Sequence, residues 1–109
     1  MSKFGLYNMF TAVEGKRDSL AKLLLEASKS MEKVDECELY VVSLADDNSD
    51  AIYVYEVWSS EEAHQYSLSL EASQQLIQNA KPILAGVEKI GTSIPIGGKG
   101  ISTSQNHSN

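Results

Sequence analysis

From Phe4 to Phe10 the chain alternates, with Phe4, Leu6, Asn8 and Phe10 on one side and Gly5, Tyr7 and Met9 on the other. A period of two predicts a strand, here over 4–13. Large apolar groups on both sides predict that both faces are covered. Glu14-Gly15-Lys16 is a turn, and then the period changes. Leu20, Leu23, Leu24, Ala27 and Met31 fall at i, i+3, i+4, i+7 and i+11, one apolar stripe of a helix running from Lys16 to about Met31. Two β-rich runs, 37–44 and 51–58, flank Asp46-Asp47-Asn48-Ser49-Asp50, a turn composition, and predict an antiparallel hairpin. In the second run Tyr53, Tyr55 and Val57 share one face, while Ile52, Val54, Glu56 and Trp58 share the other.

A second helix is expected from Ser59, with Glu62 three places on in a capping-box arrangement. Leu68, Leu76, Ile77, Ala80, Ile83 and Leu84 extend it towards Pro82, with a kink or restart over 70–73. Pro82 is expected to open a last turn and Gly86 to end it. A fourth extended segment, 87–96, is interrupted by Gly91 and Pro95, and the proline suits an edge strand or a strand end.

The order is β-α-β-β-α-β. The predicted fold class is α+β, ferredoxin-like: a four-stranded antiparallel sheet with both helices on one face. Residues 1–97 form this domain and 98–109 a flexible C-terminal tail. The helices leave the other sheet face bare, with Tyr7, Met9, Tyr53, Tyr55 and Val57 on it. An exposed apolar face of that size predicts a partner, here a homodimer in which two sheets pack face to face into a barrel.

Composition narrows the partners. The 109 residues carry a net charge of −6, against a nucleic-acid binder or a protein drawn to anionic membranes. One cysteine, Cys37, excludes an intrachain disulfide. No apolar run is long enough to span a bilayer, and MSKFGLYNMF lacks a signal-peptide core. The cytoplasm is the expected location. Asn106-His107-Ser108 fits a glycosylation sequon and is discounted on that ground. Gly97-Gly98-Lys99-Gly100 lacks the spacing of a phosphate-binding loop and no helix follows it. Two histidines and one cysteine make no ligand cluster, so no metal is expected.

Tyr55-Glu56-Val57-Trp58-Ser59-Ser60-Glu61-Glu62-Ala63 resembles the Y-E-x-W-x-S-x-E-A signature of the antibiotic biosynthesis monooxygenase domain. Pro82-Ile83-Leu84-Ala85-Gly86 resembles that family's P-L-L-A-G ending of the last helix, and the strand closing on Val13-Glu14-Gly15 is similar too. The resemblance covers about residues 3–97. It implies a dimeric α+β barrel with a small-ligand pocket between helices and sheet. Some members oxidise quinols or polyketide phenols with molecular oxygen and no metal, flavin or haem. Haem-degrading enzymes share the fold, and other members have no demonstrated activity. The chain departs from the family at Ser67, Ala72 and Ser73, where relatives often carry histidine, histidine and phenylalanine. Haem-degrading relatives pair a strand asparagine, matched by Asn8, with a tryptophan and a histidine. Ser67 and Ile77 stand at those two places, which counts against haem degradation.

Oxygenation without a cofactor needs a substrate that supplies its own electrons. The protein must then exclude water, assist proton removal and stabilise an oxyanion. Asn8, beside Phe10, is the candidate donor to a substrate oxygen; the alternative is an amide satisfied by backbone or a face only partly buried. Glu56 is a candidate proton acceptor with a pKa raised by burial, or else a hydrogen-bonded structural carboxylate. His64 has the right unperturbed pKa for a general base, or else faces solvent. Trp58, Phe10, Tyr66 and Ser67 are candidate substrate-binding residues, with Trp58 as an aromatic wall or simply core. Cys37 reads as a packed thiol rather than a nucleophile. Two functions follow. One is a cofactor-independent monooxygenase acting on a small aromatic or quinol-like molecule. The other is a non-catalytic dimeric module that binds a small ligand or serves a stress-related role.

Overall fold

A computed structural model describes residues 2–101. Four strands, β1 (Phe4–Ala12), β2 (Cys37–Leu44), β3 (Ala51–Trp58) and β4 (Leu84–Ser93), form one antiparallel sheet in the order β2-β3-β1-β4. Helix α1 (Arg17–Ser30) crosses between β1 and β2; α2 (Glu61–Ser67) and α3 (Glu71–Ala80) lie between β3 and β4. This is the ferredoxin-like α+β arrangement. The predicted tail 98–109 is described only as far as a turn in which the Ile101 N–H reaches the Gly98 carbonyl. Residues 102–109, the sequon among them, lie outside the described residues.

The core forms where the α1 stripe meets the inner face of the central strands. Leu20 and Leu24 are fully buried against Ile52 and Val54, with Ala12 and Ala80 completing the cluster. Truncating one such leucine costs about 2–5 kcal/mol, a large part of a small domain's stability.

The register puts the site residues side by side. Across β1 and β3, Phe4 pairs with Trp58, Leu6 with Glu56 and Asn8 with Val54. On the other side of β1, Asn8 pairs with Lys89 and Phe10 with Val87. The pairing then slips between Tyr7 and Asn8, leaving Ile90 as an extra residue, a bulge that turns the edge strand.

Three predicted boundaries move. The cap of α2 is Ser60, whose Oγ accepts from the Ala63 N–H at 3.1 Å; the expected Ser59/Glu62 box does not form. The second helical region divides into α2 and α3 because the turn over 68–70 closes with i→i−3 bonds and Leu70 is extended. A 3₁₀ turn (Lys81–Ile83) carries Pro82, but β4 starts at Leu84, so Gly86 pairs with Thr11 inside the strand and Pro95 falls outside it.

The uncovered sheet face carries a tyrosine cluster. Tyr7 stacks on Tyr53 at 5.6 Å and meets Tyr55 edge-on at 6.0 Å. Val57 belongs to this face, yet it is buried within one chain. Gly5, its partner, has no side chain, and Tyr55, Ser93 and Pro95 close over the gap. A Cβ on Gly5 would lie 2.4 Å from Ser93 Oγ and 3.2 Å from Tyr55 Oη.

Candidate active site

A cavity of about 470 Å³ lies between the helices and the inner sheet face, within the size range of small-molecule sites. Its walls are apolar over most of their extent, with Leu6 and Phe10 from β1, Leu20, Leu24 and Ala27 from α1, and Leu76 from α3. Polar groups gather at one end, where Asn8, Glu56, His64 and Ser67 all reach it. A second, more open groove of about 860 Å³ runs between the start of α2 and the end of β4, and Leu6, Asn8 and His64 line both.

Trp58 is 1% exposed and donates its Nε1–H to Glu56 Oε1 at 2.9 Å. The pair sits at i and i+2 of one strand, so both side chains leave on the inner face. Burial pushes the Glu56 carboxyl above its usual range, and the Trp58 bond opposes that shift in part. On α2, directly over this pair, the His64 ring meets Trp58 edge-on at 5.7 Å and Phe4 at 5.4 Å. Burial lowers its pKa; Glu61 works against the shift and Lys89 adds to it.

Both shifts favour uncharged partners. The His64 Nε2–Glu56 Oε1 distance is 3.9 Å, too long for a hydrogen bond. A hydroxyl seated between them can bond to both. His64 Nδ1 is buried and has no hydrogen-bond partner among the described residues. The arrangement therefore holds an imidazole and a carboxyl ready to exchange a proton with something placed at this end.

Asn8 is half-buried, and its amide makes no hydrogen bond among the described residues. That removes the backbone-satisfied alternative and leaves the other, a face only partly buried. His64 does not face solvent: its side chain is 12% exposed, because α2 is short and packs on the end of β3. Glu56 is both hydrogen-bonded and inside the cavity. Ser67 lines the cavity, with its hydroxyl donating to the His64 carbonyl at 2.6 Å. Phe10 is part of the wall.

Tyr66 is a correction. It is 70% exposed and lies on a different groove, beside Lys33 and Leu70. Two residues beyond His64, it points about 200° around the helix and so cannot share that wall. Cys37 lies near Glu56, and burial first, then that carboxylate, raises its thiol pKa to about 11. A thiol so hard to ionise is a poor nucleophile.

Sequence reasoning missed two titratable lining residues. Tyr40 pairs with Glu56 across β2 and β3, and burial first, then the charge of Glu56, pushes its phenol well above its usual range. The alternation of β2 would have pointed to it. Lys81, beside Pro82, lines the far end of the cavity, and no pattern in the sequence marks it. Among the described residues no group of three or more His, Cys, Asp or Glu side chains is placed to hold a metal ion. No helix there is long and apolar enough to cross a membrane.

The family model for antibiotic biosynthesis monooxygenase matches residues 4–79. A proposed antibiotic biosynthesis monooxygenase from Chloroflexus aurantiacus J-10-fl is 38% identical, with a TM-score of 0.83 over 93% of this chain and 100% of that one. A proposed enzyme of the same description from Caulobacter crescentus CB15 has a TM-score of 0.78 at 14% identity, over 88% and 92% of the two chains. One from Nitrosomonas europaea has a TM-score of 0.81 at 5% identity, over 87% and 91%. These last two likenesses show the fold alone. No curated protein matches the chain.

Proposed function

The chain belongs to the antibiotic biosynthesis monooxygenase family, and on that premise we propose that it oxidises a small aromatic or quinol-like substrate with molecular oxygen and no cofactor. The observation that carries this reading is the convergence of Asn8, Glu56, Trp58 and His64 on one end of an apolar cavity.

In this reading the ring of a phenol lies against Trp58 and Phe10. Neutral His64 takes the phenolic proton, and the Asn8 amide donates to the resulting oxyanion. The phenolate passes one electron to oxygen, and the radical pair recombines as a ring hydroperoxide. His64 returns its proton to the peroxide; loss of water then leaves a carbonyl, as Glu56 protonates the departing oxygen and His64 takes the proton from the same ring carbon. One oxygen atom ends in the product and the other in water. For a phenol with a free para position the sum is phenol plus O₂ giving quinone plus water. The electrons come from the substrate throughout.

The test is oxygen uptake by the purified protein across a panel of naphthols and hydroquinones. Uptake well above autoxidation is expected with at least one substrate, with a loss of about 10²-fold or more in His64→Gln and a clear loss in Asn8→Ala. Uptake no faster than autoxidation, or untouched by both substitutions, refutes it. Ser67 supports a second reading, the non-catalytic ligand-binding module, because its hydroxyl is already engaged with the His64 carbonyl. Saturable binding without uptake identifies that case.

The reading includes a homodimer through the open sheet face, supported by exposed Tyr7, Val41 and Ile90 on that face.

A further inference from the structure

We propose that the ligand of this cavity is an aromatic acid, seated with its hydroxyl at the Asn8 end and its anionic group at Lys81. The inference rests on the function proposed above and deepens it by naming the substrate class.

The cavity has three zones. Asn8, Glu56 and His64 form a polar end, the middle is apolar, and Lys81 stands at the other end between exposed Ile77 and Val87. That end is open because β4 is an edge strand and largely exposed. Among the described residues Lys81 is the only lysine or arginine on the cavity wall, and Glu56 the only carboxylate. Glu56 is already bonded to Trp58, and burial disfavours its charge. Lys81 therefore places an ammonium group on the cavity wall, although the chain as a whole carries −6. Lys81 makes no ion pair with a carboxylate among the described residues.

Length fits the same class. The cavity wall runs from Asn8 on β1 to Leu84 on β4, and Leu84 pairs with Ala12, four residues beyond Asn8. Four residues of strand span about 13 Å. Two fused rings with a hydroxyl at one end and a carboxylate at the other match that span once the lysine stem is counted. Lys81 also ends α3, where a cation suits the helix dipole. That role needs no ligand, so the test must read ligand selectivity.

Trp58, the single tryptophan, reports binding through its fluorescence. The probes are 6-hydroxy-2-naphthoate and its neutral counterpart 2-naphthol, at pH 7 and low salt. The acid is expected to bind roughly two- to fivefold more tightly, the range of an exposed charge pair. The preference should vanish in Lys81→Gln, survive in Lys81→Arg and Lys89→Gln, and fade at 1 M salt. A naphthoate that binds no more tightly than 2-naphthol overturns the inference, as does a preference that persists in Lys81→Gln or is lost in Lys89→Gln. If 2-naphthol binds and the acid gains nothing, only this inference falls. If neither binds, the proposed substrate site falls with it.

Discussion

Trp58→Phe probes the joint between fold and site. The substitution keeps an aromatic ring but removes the Nε1–H that reaches Glu56 Oε1 at 2.9 Å. A hydrogen bond to a charged group is worth about 1.5–3 kcal/mol, against about 1 kcal/mol for a neutral one. The ring is smaller by roughly 40 Å³, and at about 24 cal/mol per Å³ the cavity adds about 1 kcal/mol. With Glu56 ionised the loss comes to about 2.5–4 kcal/mol, and with it protonated to about 2 kcal/mol. At about 4 °C per kcal/mol for a domain of this size, Tm should fall by about 10–16 °C in alkaline buffer and by about 8 °C at pH 4. The pH dependence has a definite sign. The folded-state pKa of Glu56 is raised, so its contribution is full below the unfolded value near 4.5 and is lost as pH rises through the folded value. Removing the bond that favours the ionised form steepens that loss. Thermal unfolding followed by circular dichroism, from pH 4 to the alkaline limit of reversible folding, reads it directly. An equal Tm loss at both extremes, or a loss under about 4 °C in alkaline buffer, would refute the coupling between Trp58 and an ionisable Glu56.

Glu56→Gln keeps an acceptor for Trp58 but cannot ionise. Its stability relative to the wild type should rise as pH rises above about 4.5, and parallel denaturant midpoints across pH would contradict this. His64 is lowered in the fold and so gives a slope of the opposite sign in both proteins. Ser60→Ala removes the α2 cap and should cost about 1 kcal/mol, or about 4 °C in Tm; no change would mean that Ser60 Oγ is not a working cap. For the sheet-face dimer, light scattering at micromolar concentration should give twice the chain mass, and Tyr7→Glu should shift it towards a monomer. A monomer mass for the wild type would end that reading.

Much of this was legible in the sequence because the patterns were strong where packing is simple. The α1 stripe from Leu20 to Met31 and the hairpin around Asp46–Asp50 reach the structure almost unchanged, since each buries one well-defined face. Alternation with Tyr55 and Val57 put Glu56 and Trp58 on one shared face, but which face of the strand meets the helices is decided by the packing of α1, α2 and α3 and not by the period of β3. What failed depended on neighbours distant in sequence. His64 looks like a surface residue on a polar seven-residue helix until that helix packs on Phe4 and Trp58. Tyr66 looks adjacent in sequence but projects to the other side. Val57 is buried by Gly5, Tyr55 and the residues after β4, which the period of β3 alone does not report. Lys81 gains meaning only once β4 is seen to lie at the open edge of the cavity.

If the chain inserts one atom of molecular oxygen into an aromatic substrate held between its helices and its sheet, that atom can be followed into the product. The direct measurement is the fate of labelled oxygen. Incubated under ¹⁸O₂ with a naphthol that it turns over, the protein should yield a quinone carrying one ¹⁸O atom, with the other in water and no hydrogen peroxide, and His64→Gln should yield almost none. An unlabelled quinone accompanied by hydrogen peroxide, formed equally by wild type and variant, would contradict the account.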